Sequence, residues 1–248
     1  MPLLYHLFCL LLISRITTTV SDTCRQASPV SGHGAMYRVD SSCSYSFSGS
    51  YMYYCFPNVT FNQVIVDQGY ISLGIYNRFN GVSLDIGLFY ENDIKRWLGF
   101  VHDARGWQFG NMMIDPTTYP CIYLVVYIAD DKIIQRLQAG TMEQQAQYEL
   151  SSFDPNLNLT QLDQLGFYRF DSILQERFEN LKSGSKMLNV EMKDWVLYLN
   201  NTDWVAAEPP YIASNISGPC CTQDEINTVN VYNQPQQWSQ SNISISYI

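Results

Sequence analysis

Short runs of alternating apolar and polar residues, each closed by a turn signal, recur along most of this chain and limit it to folds built from antiparallel strands. Thr60–Val66 and Tyr70–Tyr76 are separated by Asp67-Gln68-Gly69, and Asn80-Gly81 follows the second run. Ser83–Asp103 reads as a hairpin around a charged turn, Glu91–Lys95. Ile122–Ile128 and Lys132–Leu137 flank Ala129-Asp130-Asp131, and the first arm, apolar on both faces, reads as a central buried strand. Met192–Leu199 is a further strand, and the runs Thr228–Tyr232 and Ile243–Tyr247 return the tail to the sheet. The 18 tyrosines, with many Val, Ile and Phe, favour the same state.

Helical readings compete at two places. Met142–Leu150 is one candidate; Asp171–Lys182 is the other, with Asp171 as N-cap and Gly184 as terminator. Phe167–Leu174 also alternates, which favours a strand followed by a turn. Ser151–Gln164 reads as a polar loop, and there is no internal repeat or clean linker. The expectation is an all-β, antiparallel two-sheet sandwich or jelly roll, formed by residues 21–248 as one domain with disulfide-linked N- and C-terminal segments.

Leu3–Ile13 is apolar enough for a signal-peptide core and too short to span a bilayer. Small residues near Thr19–Ser21 offer a cleavage site, so residues 1–20 read as a signal peptide and the protein as secreted and extracellular, without a membrane anchor. Of 7 cysteines, Cys9 leaves with that segment. Cys24, Cys43, Cys55, Cys121, Cys220 and Cys221 remain, an even set suited to disulfides. Asn58, Asn158, Asn200, Asn215 and Asn242 each begin an N-x-S/T sequon and are expected to carry glycans at the surface.

The segment Cys43–Cys55, C-S-Y-S-F-S-G-S-Y-M-Y-Y-C, is nearly a mirror image about Gly49. Folded as a hairpin, it sets Phe47 against Tyr51, Tyr45 against Tyr53 and Cys43 against Cys55, predicting a Cys43–Cys55 bridge. The alternative is that each cysteine pairs elsewhere. Adjacent Cys220 and Cys221 are read as pairing with two separate partners, because a vicinal bridge is strained.

Net charge is −9 and there is no Lys/Arg run, which argues against nucleic acid and anionic membranes. Only His33 and His102 survive removal of residues 1–20. The sequence has no G-x-S-x-G elbow, no C-x-x-C or H-x-x-x-H spacing and no phosphate-cradling glycine loop. No metal or cofactor is expected.

The hairpin Ser83–Asp103 carries the main site expectation. With Glu91–Lys95 as loop, Tyr90 pairs with Arg96, and one face holds Leu88 with Leu98, Ile86 with Phe100 and Leu84 with His102. The other holds Phe89 with Trp97, Gly87 with Gly99 and Asp85 with Val101. A glycine pair between an aromatic platform and a carboxylate leaves a notch suited to a sugar, whose C–H face stacks on the rings while its hydroxyls bond the carboxylate. Trp107 and Arg105 would line its rim. The competing reading is structural: glycines mark a bend or a close crossing, and Trp97 packs under a loop. A loop one residue shorter dissolves the notch.

Glycoside cleavage needs two carboxylates roughly 5–9 Å apart. Asp85 has no acidic partner along its own strand, so Glu191 is the candidate second acid. Asp115, Asp130 and Asp131 read as solvated turn tips.

The order L-D-I-G-L-F-Y, Trp97, G-W-Q, I-Y-L-V-V-Y-I, F-Y-R-F-D-S-I-L-Q and D-W-V-L-Y-L resembles secreted YrpD-type proteins. The resemblance covers roughly Thr60–Tyr247. It implies a concanavalin-like sandwich and supplies no catalytic residue. The six cysteines and the insertion Met142–Gln164 depart from that pattern. The expected function is binding of carbohydrate or another small polar ligand, with a glycan as the partner; the alternatives are a carbohydrate-active enzyme and a structural extracellular protein with no ligand site.

Overall fold

The computed structural model describes residues 33–41, 45–61, 68–77, 79–176, 186–199, 203–206, 212–219, 229–232 and 241–246; for 33–41, 68, 167–176 and everything from 212 onward it describes the backbone alone. Two antiparallel sheets pack face to face, as an all-β sandwich requires. The seven-stranded sheet runs in the order β14 (Ile212–Pro219), β1 (His33–Ser41), β11 (Leu165–Glu176), β4 (Gln68–Asn77), β5 (Ser83–Glu91), β6 (Arg96–Asp103), β7 (Gly106–Ile114). The nine-stranded sheet runs β10 (Met142–Glu149), β9 (Lys132–Ala139), β8 (Cys121–Ala129), β2 (Phe47–Cys55), β12 (Lys186–Leu199), β16 (Ser241–Ser246), β15 (Val229–Tyr232), with β3 (Asn58–Thr60) and β13 (Asp203–Ala206) also on β12.

The alternation in the sequence sorts side chains between the interior and the two outer faces. Leu73, Ile75, Leu84, Ile86, Leu88 and Val101 point inward from one sheet, and Met52, Tyr54, Leu124, Val126, Trp195 and Leu197 from the other. Burying each such side chain contributes about 1.5–3 kcal/mol. Trp195, fully buried, donates its Nε1–H to Ser50 Oγ at 2.8 Å, so its polar edge is satisfied. Asp130 and Asp131 both take left-handed backbone (φ 51 and 56), the requirement of a two-residue turn joining β8 to β9.

One polar contact crosses the interior. Gln135 of β9, fully buried, donates from Nε2 to the Gly87 carbonyl of β5 at 2.7 Å, and its Oε1 accepts from the Tyr148 hydroxyl at 3.1 Å. Burial pushes the Tyr148 phenol up to about 12.

Several expectations need correction. Met142–Glu149 is strand β10, not a helix: its burial pattern ieieBeBe has period 2. Phe167–Leu174 lies within strand β11, as preferred, while residues 177–182 of the helical candidate lie outside the described residues. The arm Ile122–Ile128 is central, but only one of its faces is buried: Tyr123 is exposed on the other, where Val125 and Tyr127 are half-buried. The loop Ser151–Gln164 forms three short 3-10 turns and sends Phe153, Leu157 and Leu159 into the core. It is held there by Asn77 Nδ2 donating to Leu157 O at 3.1 Å, and by Asp103, which accepts the backbone N–H groups of Arg105 and Asp154 at 2.9 Å each.

The Cys43–Cys55 bridge is also overturned. Residues 47–55 form one continuous strand with no turn at Gly49, inserted between β8 and β12. Cys55 stands directly opposite Cys121 in that pairing and is bonded to it. Cys24, Cys43, Cys220 and Cys221 lie outside the described residues.

Candidate functional site

The hairpin β5–β6 forms as expected but one residue out of the expected register. Glu91 pairs with Arg96, and the pairs run Tyr90–Trp97, Phe89–Leu98, Leu88–Gly99, Gly87–Phe100, Ile86–Val101 and Asp85–His102. A one-residue shift sends every side chain of β6 to the opposite face. Trp97 and Gly99 therefore point into the sandwich. Trp97 is fully buried, stacked on Phe56 at 5.2 Å and edge-on to Tyr90 at 5.3 Å. A Cβ at Gly99 would meet Met112 Cε at 2.7 Å and Gln135 Oε1 at 3.1 Å. Gly87 stays on the outer face, where a Cβ would lie 1.8 Å from the Ile71 carbonyl oxygen, so glycine is needed there for a close strand approach. The Gly87/Gly99 notch does not exist.

Asp85, Phe89 and Trp107 nevertheless share one surface. Asp85 pairs with His102, and His102 with Trp107, so the three form one row across β5, β6 and β7. The His102 ring stacks on Trp107 with centroids 4.4 Å apart. In the next row Phe100 stands opposite Phe109. The planes of Trp107 and Phe109 differ by only 10°, with centroids 6.0 Å apart. These two rings are exposed, at 45% and 57%, whereas Tyr70, Phe89 and Phe100 beneath them are buried. Tyr70 stacks on Trp107 at 5.5 Å and Phe89 contacts Phe109 at 5.7 Å, which supports the exposed pair from below. Sequence reasoning missed four members of this surface: Phe100 and His102, assigned to the core face by the one-residue error in register, and Tyr70 and Phe109; for Phe109 the alternation Trp107–Phe109 on one strand was the available signal. Arg105 leaves this surface: its guanidinium donates to Ser151 O at 3.4 Å.

Glu191 is not a partner for Asp85. It belongs to β12 of the nine-stranded sheet and stands opposite Cys55, while Asp85 lies in the seven-stranded sheet. Its carboxylate is ion-paired to Lys193, and that hydrogen bond holds the Lys193 ammonium above its ordinary range. The paired-carboxylate arrangement expected for glycoside cleavage is absent from these two residues.

A second aromatic surface, not foreseen in the sequence, lies beside Glu191 on the outer face of the nine-stranded sheet. Trp204 of β13 stacks on Tyr198 at 4.8 Å and touches Tyr51 at 5.4 Å. Tyr51 touches Tyr123 at 6.3 Å, and Tyr123 touches Tyr53 at 4.9 Å. Trp204 and Tyr123 are exposed. A bulge between Lys193 and Val196 leaves Asp194 in left-handed backbone (φ 52) and exposed. Burial, then the Asp194 charge, then Tyr123 raise the Tyr51 phenol above its ordinary value.

Among the sequons, Asn58 is exposed in β3. The Asn158 amide donates to Gln161 Oε1 at 2.7 Å from left-handed backbone. Asn200 and the side chains of Asn215 and Asn242 lie outside the described residues. No group of three or more metal-ligating side chains occurs among the described residues, and none of their helices is long and apolar enough to cross a membrane.

No family model and no curated protein matches the sequence. Among solved structures, a scytalido-glutamic peptidase bound to a peptide-based transition-state analogue has a TM-score of 0.51 and 13% identity, covering 88% of this chain and 98% of that one. The same peptidase with a transition-state-analogue inhibitor gives a TM-score of 0.50 at 12% identity, over 88% and 98% of the two chains. At these identities the likeness concerns architecture: this chain has the two-sheet sandwich of a glutamic peptidase.

Proposed function

We propose that this protein is a secreted glycoprotein that binds carbohydrate, or a similar polyol, on the outer face of its seven-stranded sheet. The observation that carries the reading is the pair Trp107–Phe109: two exposed rings, their planes within 10° of parallel, standing on buried Tyr70, Phe89 and Phe100. An exposed aromatic patch rimmed by polar residues marks an interaction site. A pyranose offers an apolar C–H face to such rings and hydroxyls to polar neighbours. Asp85 and His102 flank the rings in the same row and supply those polar contacts. The Cys55–Cys121 disulfide agrees with an oxidising compartment, and exposed Asn58 is the best-placed glycan acceptor among the described residues.

The test is a glycan array followed by titration of any positive oligosaccharide against Trp107→Ala and Phe109→Ala. Removal of one stacking ring should weaken binding roughly ten-fold, in line with the ~1–1.5 kcal/mol typical of such contacts. Retention of full affinity in both variants sinks the proposed surface.

A second reading follows from the fold. Because the sandwich is similar to that of a glutamic peptidase, we keep a hydrolase as the alternative. Peptide hydrolysis by the purified protein, abolished by a single carboxylate-to-amide change, would favour it over simple binding.

A further inference from the structure

The aromatic surface on the nine-stranded sheet is separate from the sugar surface, since it lies on the other sheet and faces away from it. We infer that Tyr51, Tyr53, Tyr123, Tyr198 and Trp204, together with Asp194, form a binding site for a small soluble organic cation with an alkylated ammonium head.

Three observations converge on a cation. The rings are contiguous: Trp204 on Tyr198 at 4.8 Å, Trp204 to Tyr51 at 5.4 Å, Tyr51 to Tyr123 at 6.3 Å and Tyr123 to Tyr53 at 4.9 Å. Aromatic faces attract a weakly hydrated cation through the ring quadrupole, and tryptophan does so best. The neighbouring charge is negative. Lys193, the nearest cation on the strand, is already neutralised by Glu191, and Arg136 on the same sheet is paired with Glu143 at 2.7 Å. Asp194 makes no ion pair among the described residues, and its charge is felt at the Tyr51 hydroxyl. Finally, the backbone is bent to put that carboxylate there. An aspartate in left-handed backbone at a bulge costs on the order of 1 kcal/mol, and such strain is found where a side chain is being aimed. Asp194 acts on the Lys193 ammonium as well as on Tyr51, so the field over the rings stays negative next to the Glu191–Lys193 pair, and an anionic ligand or surface is repelled by it.

The probe is choline, with its uncharged isostere 3,3-dimethylbutan-1-ol as control, titrated into the full chain while the backbone amide resonances of Tyr51, Tyr53, Tyr123 and Tyr198, present in every variant tested, are followed by NMR. Choline should give a saturable shift, and the neutral isostere should bind at least roughly ten-fold more weakly. Trp204→Ala should lower choline affinity by roughly ten-fold and Asp194→Asn by roughly three-fold. Phe79→Ala, which removes an exposed ring elsewhere, should leave it unchanged. Should Trp204→Ala fail to fold, Trp204→Phe and Asp194→Asn, at an exposed position, carry the comparison. No saturable shift, equal binding of the isostere, or unchanged affinity in Asp194→Asn with Trp204→Phe would each overturn the proposal. Capture by phosphatidylcholine vesicles without binding of free choline would overturn its soluble ligand.

Discussion

Tyr148→Phe should make the protein less stable at neutral pH and more stable in strong alkali. The Tyr148 hydroxyl donates to Gln135 Oε1 at 3.1 Å inside the sandwich. Removing it deletes one buried hydrogen bond and leaves that oxygen short of a donor, at a cost of about 1–1.5 kcal/mol near pH 8. Burial raises the folded phenol from 10.0 to about 12. The unfolded chain therefore releases this proton first as pH climbs. The folded state's advantage is whole below pH 10 and is lost as pH rises toward 12. Two units correspond to about 2.7 kcal/mol, of which linkage removes about 1.4 by pH ~11 and about 2.3 by pH ~12. The variant has no such phenol and escapes the loss, so the two stability curves should cross near pH ~11. Urea unfolding followed by tryptophan fluorescence, in steps from pH ~8 to ~11.5, measures both curves. Tyr51 and Tyr90 are also raised by burial and titrate in both proteins, so only the difference is diagnostic. Parallel curves would refute the assignment of Tyr148 as a buried, hydrogen-bonded phenol.

Three shorter predictions accompany it. Peptide mapping without reduction should link Cys55 to Cys121, and serine at both positions should cost up to about 4 kcal/mol, because the bridge closes a separation of 66 residues; a Cys43–Cys55 peptide would contradict the continuous β2 strand. Trp97→Ala should destabilise by about 3–5 kcal/mol while leaving sugar binding by the folded fraction intact, since the ring lies inside the sandwich. Gly87→Ala should cost more than Gly99→Ala in thermal unfolding: the first meets a backbone carbonyl, which cannot move aside, and the second meets the flexible end of Met112.

The fold class was legible because period-2 alternation survives at nearly every strand, including Phe167–Leu174, where a helical pattern competed. Strand partners were not legible. The near-palindrome around Gly49 suggested a local hairpin, yet β2 takes both partners from distant segments, which no local pattern encodes. The candidate site failed by a single residue of turn length. Glu91 pairs with Arg96 across four turn residues instead of five, and that moved Trp97 and Gly99 to the interior while leaving Asp85, Phe89 and Trp107 outside. The tyrosine surface was out of reach because its rings come from β2, β8, β12 and β13, brought together only by sheet order.

The position of β2 also has a consequence for how the chain is made. It is the strand between β8 and β12, and β12 follows it by roughly 140 residues, about 7–28 s of synthesis at ~5–20 residues per second. Until then one edge of a tyrosine-rich strand stands open, while β4 to β7 can close on nearest neighbours as soon as they emerge. The nascent chain thus carries a half-finished sheet whose sticky edge is sealed near the end of translation.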